Sequence, residues 1–176
     1  MGADIHMFLQ RRKNPKAKWE LHPGHVEGEY GLEELTGGDR WYEFFGHLGG
    51  VRGNSNRAIA ACKGLPKDCP DKLIEQSTDD HSHSYCTLKQ FETAVIRAMK
   101  SSDHYESFEE EMDRSEDTTL FWDWQSHIYG DGSPGYFSIL RYCNKWIWET
   151  KVENGLAGIK TDLNKPQIRF IYYFDS

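Results

Sequence analysis

No CxxC pair occurs among the four cysteines, Cys62, Cys69, Cys86 and Cys143, and no charged-then-apolar leader precedes Asp4. The cysteines therefore suggest neither a zinc finger nor secretion, and an intracellular chain with reduced thiols is expected. Long apolar runs are missing as well: stretches such as Phe170 to Phe174 are far too short to span a bilayer. There is no internal repeat and no low-complexity linker, so residues 1–176 are read as a single domain, long enough to bury a core without disulfides or metal. Signatures of strong specificity are absent too. No HExxH helix occurs, and the one glycine-rich stretch has neither the Lys-Ser/Thr of a Walker A loop nor a clean GxGxxG spacing.

What is present begins with aromatic residues. Only 38% of the chain is hydrophobic and mean hydropathy is −0.76, yet 24 aromatic side chains supply large burial per residue. The net charge of −7 is uneven: between Asp103 and Asp117 eight acids face one base, Arg114, and the rest of the chain is neutral, with 20 acids and 20 bases. Long nucleic acid is not expected as a partner, because its binders usually show a net basic face. The acidic 103–117 stretch reads first as a solvated, helix-leaning surface insertion; a DNA mimic or a partner-binding tail are the alternatives.

The start, Asp4 to Gln10, alternates partly, then meets Lys13-Asn14-Pro15-Lys16 before Trp19-Glu20-Leu21, which predicts a hairpin. The end, Gln167 to Phe174, is rich in β-branched and aromatic residues and predicts a buried strand in the same sheet. Leu88, Phe91, Val95, Ala98 and Met99 recur at helical spacing behind a Thr87/Gln90 capping box. A second helix is expected from about Tyr136 to Trp148, announced by Pro134-Gly135. A short aromatic helix is expected after Arg40, ahead of Gly46, Gly49, Gly50 and Gly53. The fold class is α+β: a small antiparallel sheet including both terminal strands, two main helices and long functional loops.

Three groups of residues can carry chemistry. In the first, Asp79-Asp80-His81-Ser82-His83 is expected in a loop pinned by the capped helix, and His81 and His83 share a side only if that loop is extended. Asp4 and His6 have the same spacing on the first strand. There Asp4, His6 and Phe8 share one face, while Ile5, Met7 and Leu9 on the other want the core. Asp4, His6, His81 and His83 together could form the first shell of a divalent metal, do metal-free acid–base work, or donate hydrogen bonds to a ligand. A polar loop and a polar strand start explain them equally. His22, His25, His47, His104 and His127 read as ordinary surface or core histidines.

The second group is "GHLGGVRGNSNR", in which backbone N–H groups around Gly50 and the Arg52 or Arg57 guanidinium could hold a phosphate. A plain helix C-cap with solvent-facing arginines is the alternative. The third is the supply of aromatics near element ends, Trp41, Tyr42, Tyr85, Trp122, Trp124, Tyr129 and Tyr136, of which one or two, Trp41 or Tyr85 first, would stack on a base.

Met1-Gly2-Ala3-Asp4-Ile5-His6, the block carrying Arg40, Tyr42, Phe45, Leu48, Gly50, Val51 and Arg52, then Gly64-Leu65-Pro66, His81-Ser82-His83-Ser84 and the closing Phe170 to Asp175 resemble a family of small proteins encoded by tailed bacteriophages. These landmarks span nearly the whole chain. The sequence departs from the pattern at Tyr85-Cys86-Thr87, where Trp-Leu-Thr is usual, and over 102–135. The resemblance implies a viral or prophage origin, action in the cytoplasm of an infected bacterial cell, and by analogy a counter-defence protein that sequesters or destroys a nucleotide signal of bacterial immunity.

Three functions are therefore weighed. One is binding of a small phosphorylated nucleotide, cyclic ADP-ribose-like or a cyclic dinucleotide. In it Arg40, Arg52 and the Gly50 nest hold phosphate, Asp4, His6, His81 and His83 bond ribose or base, and Tyr85 or Trp41 stacks. The second is a phosphodiesterase using the same four polar side chains, with or without a divalent metal. The third is a protein-interaction module acting on a host enzyme through 103–117. No membrane partner is expected, and a homo-oligomer is compatible with all three.

Overall fold

The computed structural model describes residues 2–29, 31–35, 40–52, 57–101, 108–114, 134–158 and 164–175. Its centre is a four-stranded antiparallel sheet built from β1 (Ile5–Arg12), β2 (Glu20–Leu21), β5 (His81–Thr87) and β6 (Gln167–Phe174), in the order β2-β1-β6-β5. A separate two-stranded ribbon pairs β3 (Glu27–Gly28) with β4 (Gly31–Leu32). The helices are α1 (Tyr42–Gly49), α2 (Asp71–Gln76), α3 (Leu88–Ser101), α4 (Phe108–Arg114) and α5 (Pro134–Glu153). The molecule is α+β, with both terminal strands side by side at the heart of the sheet. The predicted hairpin forms where Gln10 and Arg11 pair with Leu21 and Glu20.

Strand β6 is buried from Ile168 to Phe174 because both its faces are covered. On one face Ile5, Met7 and Leu9 of β1 join Phe170, Tyr172 and Phe174 beneath α1, α3 and α5. On the other, Phe8, Ile171 and Tyr173 pack on Leu73 of α2, Leu32 and Cys69. The β1 face that carries His6 is thus not open to solvent along its length: Phe8 is completely buried. Burial of that many apolar rings on two faces is what commits the chain to one register, since a one-residue slip would exchange the two sets.

The helix boundaries follow from their caps. At the start of α3 the Thr87 amide donates to Gln90 Oε1 at 3.0 Å and the Gln90 amide donates to Thr87 Oγ1 at 3.2 Å, a reciprocal capping box. Helix α5 begins at Pro134 and runs five residues beyond Trp148, to Glu153. It ends where Gly155 turns left-handed at φ 68° and the Leu156 amide donates back to the Lys151 carbonyl at 2.7 Å. Helix α1 lies so close to the sheet that a Cβ on Gly49 would sit 2.9 Å from the Phe174 ring.

Of the acidic 103–117 stretch only 108–114 is described. It forms α4, whose Met112 carbonyl accepts a 2.8 Å bond from Arg141 and whose Phe108 ring meets Phe137 at 6.0 Å. That part of the stretch is tied to α5 rather than free in solvent. The rest, together with Gly53, His104, Trp122, Trp124, His127 and Tyr129, lies outside the described residues.

One expected element changes. His81 to Ser84, read from sequence as loop, is the first half of strand β5, with His81 opposite Phe174 and Ser84 opposite Tyr172. A polar segment becomes a strand here because β6 offers it an unpaired backbone edge, and propensity yields to that pairing.

Candidate functional site

At one end of the sheet the start of β1, the start of β5 and the end of β6 lie side by side, and polar residues from all three collect there. His6 stands opposite Tyr173 in the β1–β6 register, and the two rings stack at 5.0 Å between centroids with 25° between planes. His83 approaches Tyr173 as well, at 5.6 Å. The first strand and the H-S-H-S stretch therefore converge, through Tyr173, on the sheet face that also carries Phe8 and Ile171.

Carboxylates surround this pair of imidazoles. Glu34 reaches His6 because the chain after β4 runs beside β1, where the Leu35 amide donates to the Met7 carbonyl at 3.0 Å. Its Oε1 lies 2.6 Å from His6 Nδ1, while Asp175 Oδ2 lies 3.6 Å from Nε2. Burial by itself lowers the His6 pKa, but the hydrogen bond and charge of Glu34, and then the charges of Asp175 and Asp80, outweigh it and raise the pKa to about 9. His6 is consequently an imidazolium at neutral pH. Asp80, just ahead of β5, is in turn pushed upward, first by burial.

His83 has a structural tether. Its Nε2 donates to the Ser77 carbonyl at the end of α2, at 2.9 Å. When neutral, the ring therefore carries its lone pair on Nδ1. The Tyr173 ring lies between the two imidazoles, and its hydroxyl is buried beside the Gln76 amide without a well-formed hydrogen bond. Burial raises its pKa most, Glu34 and Asp80 raise it further, and the Gln76 amide acts in the opposite direction.

On the outer side of this end Arg40 forms an ion pair with Asp4, adding a 3.2 Å bond from Nη2 to Asp4 Oδ2. Asp4 is held in turn by its amide, which donates to Asp175 Oδ1 at 2.8 Å. Arg40, Asp4, Asp175 and His6 thus form one connected rim, with the guanidinium outermost.

Other expected site residues fall elsewhere. Ser82 adopts a left-handed conformation at φ 56° within a bulge, and this reverses the usual alternation. His81 consequently lies against Phe174, 6.3 Å between rings, on the face opposite His83, and its Nδ1 is paired with Ser82 Oγ at 2.8 Å. Asp4, His6, His81 and His83 therefore do not make a metal shell: His81 is on the wrong face, and both His6 nitrogens point at carboxylates. Among the described residues no group of three or more His, Cys, Asp or Glu side chains is arranged to hold a metal ion.

Trp41 is not a ligand platform. It is 3% exposed, stacked on Phe44 at 5.8 Å and edge-on to Tyr136 at 5.4 Å, because α1 needs it to seal against α5. Tyr85 is half-buried beneath the Lys63 ammonium, 4.2 Å from its ring, so that one of its faces is already covered. Gly50 at φ 75° is the C-cap of α1, its amide donating to the Gly46 carbonyl at 3.1 Å. This is the helix-cap alternative, which the nest reading had stood against. Arg52 follows it, exposed, at φ 60°.

Glu34, Tyr173 and Asp175 were not among the expected site residues. The register of the terminal strands, with Ile5 opposite Phe174, is the signal that brings Asp175 beside Asp4 and Tyr173 beside His6. Nothing local marks Glu34, which arrives through the path of a loop. Compared with protein-family profiles, curated proteins and solved structures, the chain finds no match. Among the described residues no helix is long and apolar enough to cross a membrane.

Proposed function

We propose that the protein is a phage-encoded counter-defence factor that binds and sequesters a small phosphorylated nucleotide, of the cyclic ADP-ribose or cyclic dinucleotide kind, at the His6–Tyr173–His83 end of the sheet. The observation that carries this reading is the Tyr173 ring held between the His6 and His83 imidazoles, with a buried hydroxyl that closes no well-formed hydrogen bond even beside the Gln76 amide. A ligand oxygen or nitrogen would complete it, and unsatisfied buried hydroxyls are costly otherwise. Glu34, Asp80 and Asp175 repel phosphate, so they suit the sugar and base end, where hydroxyl and amino groups donate to carboxylates. Phosphate then lies outward, toward Arg40.

Binding is favoured over cleavage because His6 holds its proton. With a pKa of about 9 it offers no lone pair at neutral pH, so it cannot serve as a general base. One observation speaks for hydrolysis as the second reading. The His83 Nδ1 lone pair, oriented by the Ser77 carbonyl, is a base in reach of the same end, with the His6 imidazolium as acid. An interaction module built on 103–117 has less support, since α4 is already engaged by α5.

Calorimetry with a panel of cyclic nucleotides tests the proposal, and micromolar or tighter binding of one of them, weakened about tenfold in Tyr173→Phe, is the expected result. No heat from any member of the panel removes it. Chromatography of the bound ligand after long incubation, with and without chelator, separates the two readings: intact ligand rejects hydrolysis.

A further inference from the structure

The opposite end of the sheet has the opposite charge. Between Arg11 and Lys18 the chain carries five cations and no acid. Arg11 and Arg12 bond neutral partners: Arg11 donates to the Tyr142 hydroxyl at 2.6 Å and Arg12 to Gln167 Oε1 at 2.8 Å. Lys13, Lys16 and Lys18 are exposed and have no carboxylate partner among the described residues. The hairpin tip that presents them is shaped by Asn14, whose Oδ1 accepts the Lys16 and Ala17 amides at 2.9 and 3.1 Å.

This tip adjoins a groove at the end of α5. The Asn154 side chain donates to the Lys13 carbonyl at 3.3 Å, tying the two together. The groove, about 300 Å³, is lined by Trp148, Lys151, Val152 and Leu156, by the small residues Ala157 and Gly158, and by Lys165. Among the described residues two cations and no acid line it. Glu149 and Glu153 are exposed on the same helix, but neither lines the groove. Trp148 is 65% exposed, an outlay of apolar surface that the fold itself does not use.

An open aromatic face beside a cationic track is the arrangement by which proteins hold unpaired bases and their phosphates. A slot at the small end of the range for ligand clefts admits one planar base and excludes a duplex. We propose that this end of the molecule binds single-stranded nucleic acid, one base stacking on Trp148 and the adjoining phosphates running over Lys151 and the Lys13–Lys18 tip. The site stands apart from the His6 end by the length of the eight-residue β1, about 25 Å, and does not depend on the function proposed there.

The test is fluorescence anisotropy of the full chain with short labelled oligothymidylate and oligouridylate, which also tells DNA from RNA. Saturable binding at low salt is expected, with log K falling against log salt at a slope of about −2, as for roughly three phosphates. Trp148→Ala should weaken binding about tenfold, with Trp148→Phe restoring most of it, and Lys13→Glu with Lys151→Glu should flatten the salt slope. Lys89→Glu, the same charge change on the exposed face of α3, should leave binding as it was. The proposal is overturned by absence of saturable binding to both oligomers. It is equally overturned if Lys89→Glu costs as much as Lys151→Glu, or if an oligoglutamate peptide binds as well as the oligonucleotides and Trp148→Ala changes nothing.

Discussion

At neutral pH the His6 imidazole keeps its proton because Glu34 and Asp175 face its two nitrogens, and this ties folding to protonation. Its folded pKa, about 9, exceeds the ordinary 6.5, so the folded state binds the proton more tightly than the unfolded chain does. The stabilisation is complete below about pH 6.5 and is lost as pH rises through 9; its size is on the order of 3 kcal/mol. Replacing His6 by Gln should therefore flatten stability between pH 6.5 and 9 in urea titrations. A wild-type curve with no decline across that window would refute the ion pair's role. Tyr173 makes a different prediction. Removing a buried hydroxyl that closes no well-formed hydrogen bond in Tyr173→Phe should leave the free protein equally stable, or up to about 1 kcal/mol more stable, in the same titrations. A loss above that amount would mean the hydroxyl has a native partner. The pairing of His6 with Tyr173 could be anticipated once β1 and β6 were aligned from their ends, but its protonation depends on Glu34, which no pattern in the chain brings near.

Elements show where periodicity suffices and where it does not. The α3 capping box and the β6 strand could be read from residue spacing, because Thr87, Gln90 and the aromatic run each act locally. Strand β5 could not, since its pairing is imposed by β6 and its alternation is broken at Ser82. That residue provides a test: a β-branched side chain is disfavoured at positive φ, so Ser82→Val should cost about 1–2 kcal/mol and loosen His81. Unchanged thermal stability would show that the bulge is not needed. Gly49 provides another. A methyl group there would press on the Phe174 ring, a rigid neighbour, and Gly49→Ala should cost about 1–3 kcal/mol as α1 is lifted from the sheet. A melting temperature equal to the wild type's would contradict that close approach.

For the molecule as a whole, two sets of histidines set the pH range from opposite sides. His22 and His25 are held neutral, each with a pKa of about 4, chiefly by burial; beyond that, Arg11 lowers His22 further while the Glu33 carbonyl opposes the shift in His25. His25 accepts the Leu9 amide on Nε2 at 2.8 Å and donates from Nδ1 to the Glu33 carbonyl at 2.7 Å, so protonation would break a bond of β1. Because these folded pKa values lie below 6.5, the unfolded chain takes up protons first, and stability falls as pH drops from 6.5 toward 4. Together with His6 this places the stability maximum near pH 6.5. Melting curves from pH 4 to 9 check it, and a maximum at pH 8 or above would show that the balance is wrong. The class of the fold followed from periodicity and aromatic content. The second covered face did not, because the β3–β4 ribbon and α2 are too short to stand out in the chain.

The strand at the centre of the sheet is the last one made. The Asp4 amide donates to the Asp175 carboxylate across 171 positions, and β1 and β5 both await β6, the last of the four strands in chain order. Until then two edges rich in exposed backbone groups have nothing native to pair with. Assembly of the sheet is thus deferred until β6 has been made, and the nascent chain depends on its helices, or on a chaperone, to keep those edges from pairing with a neighbour.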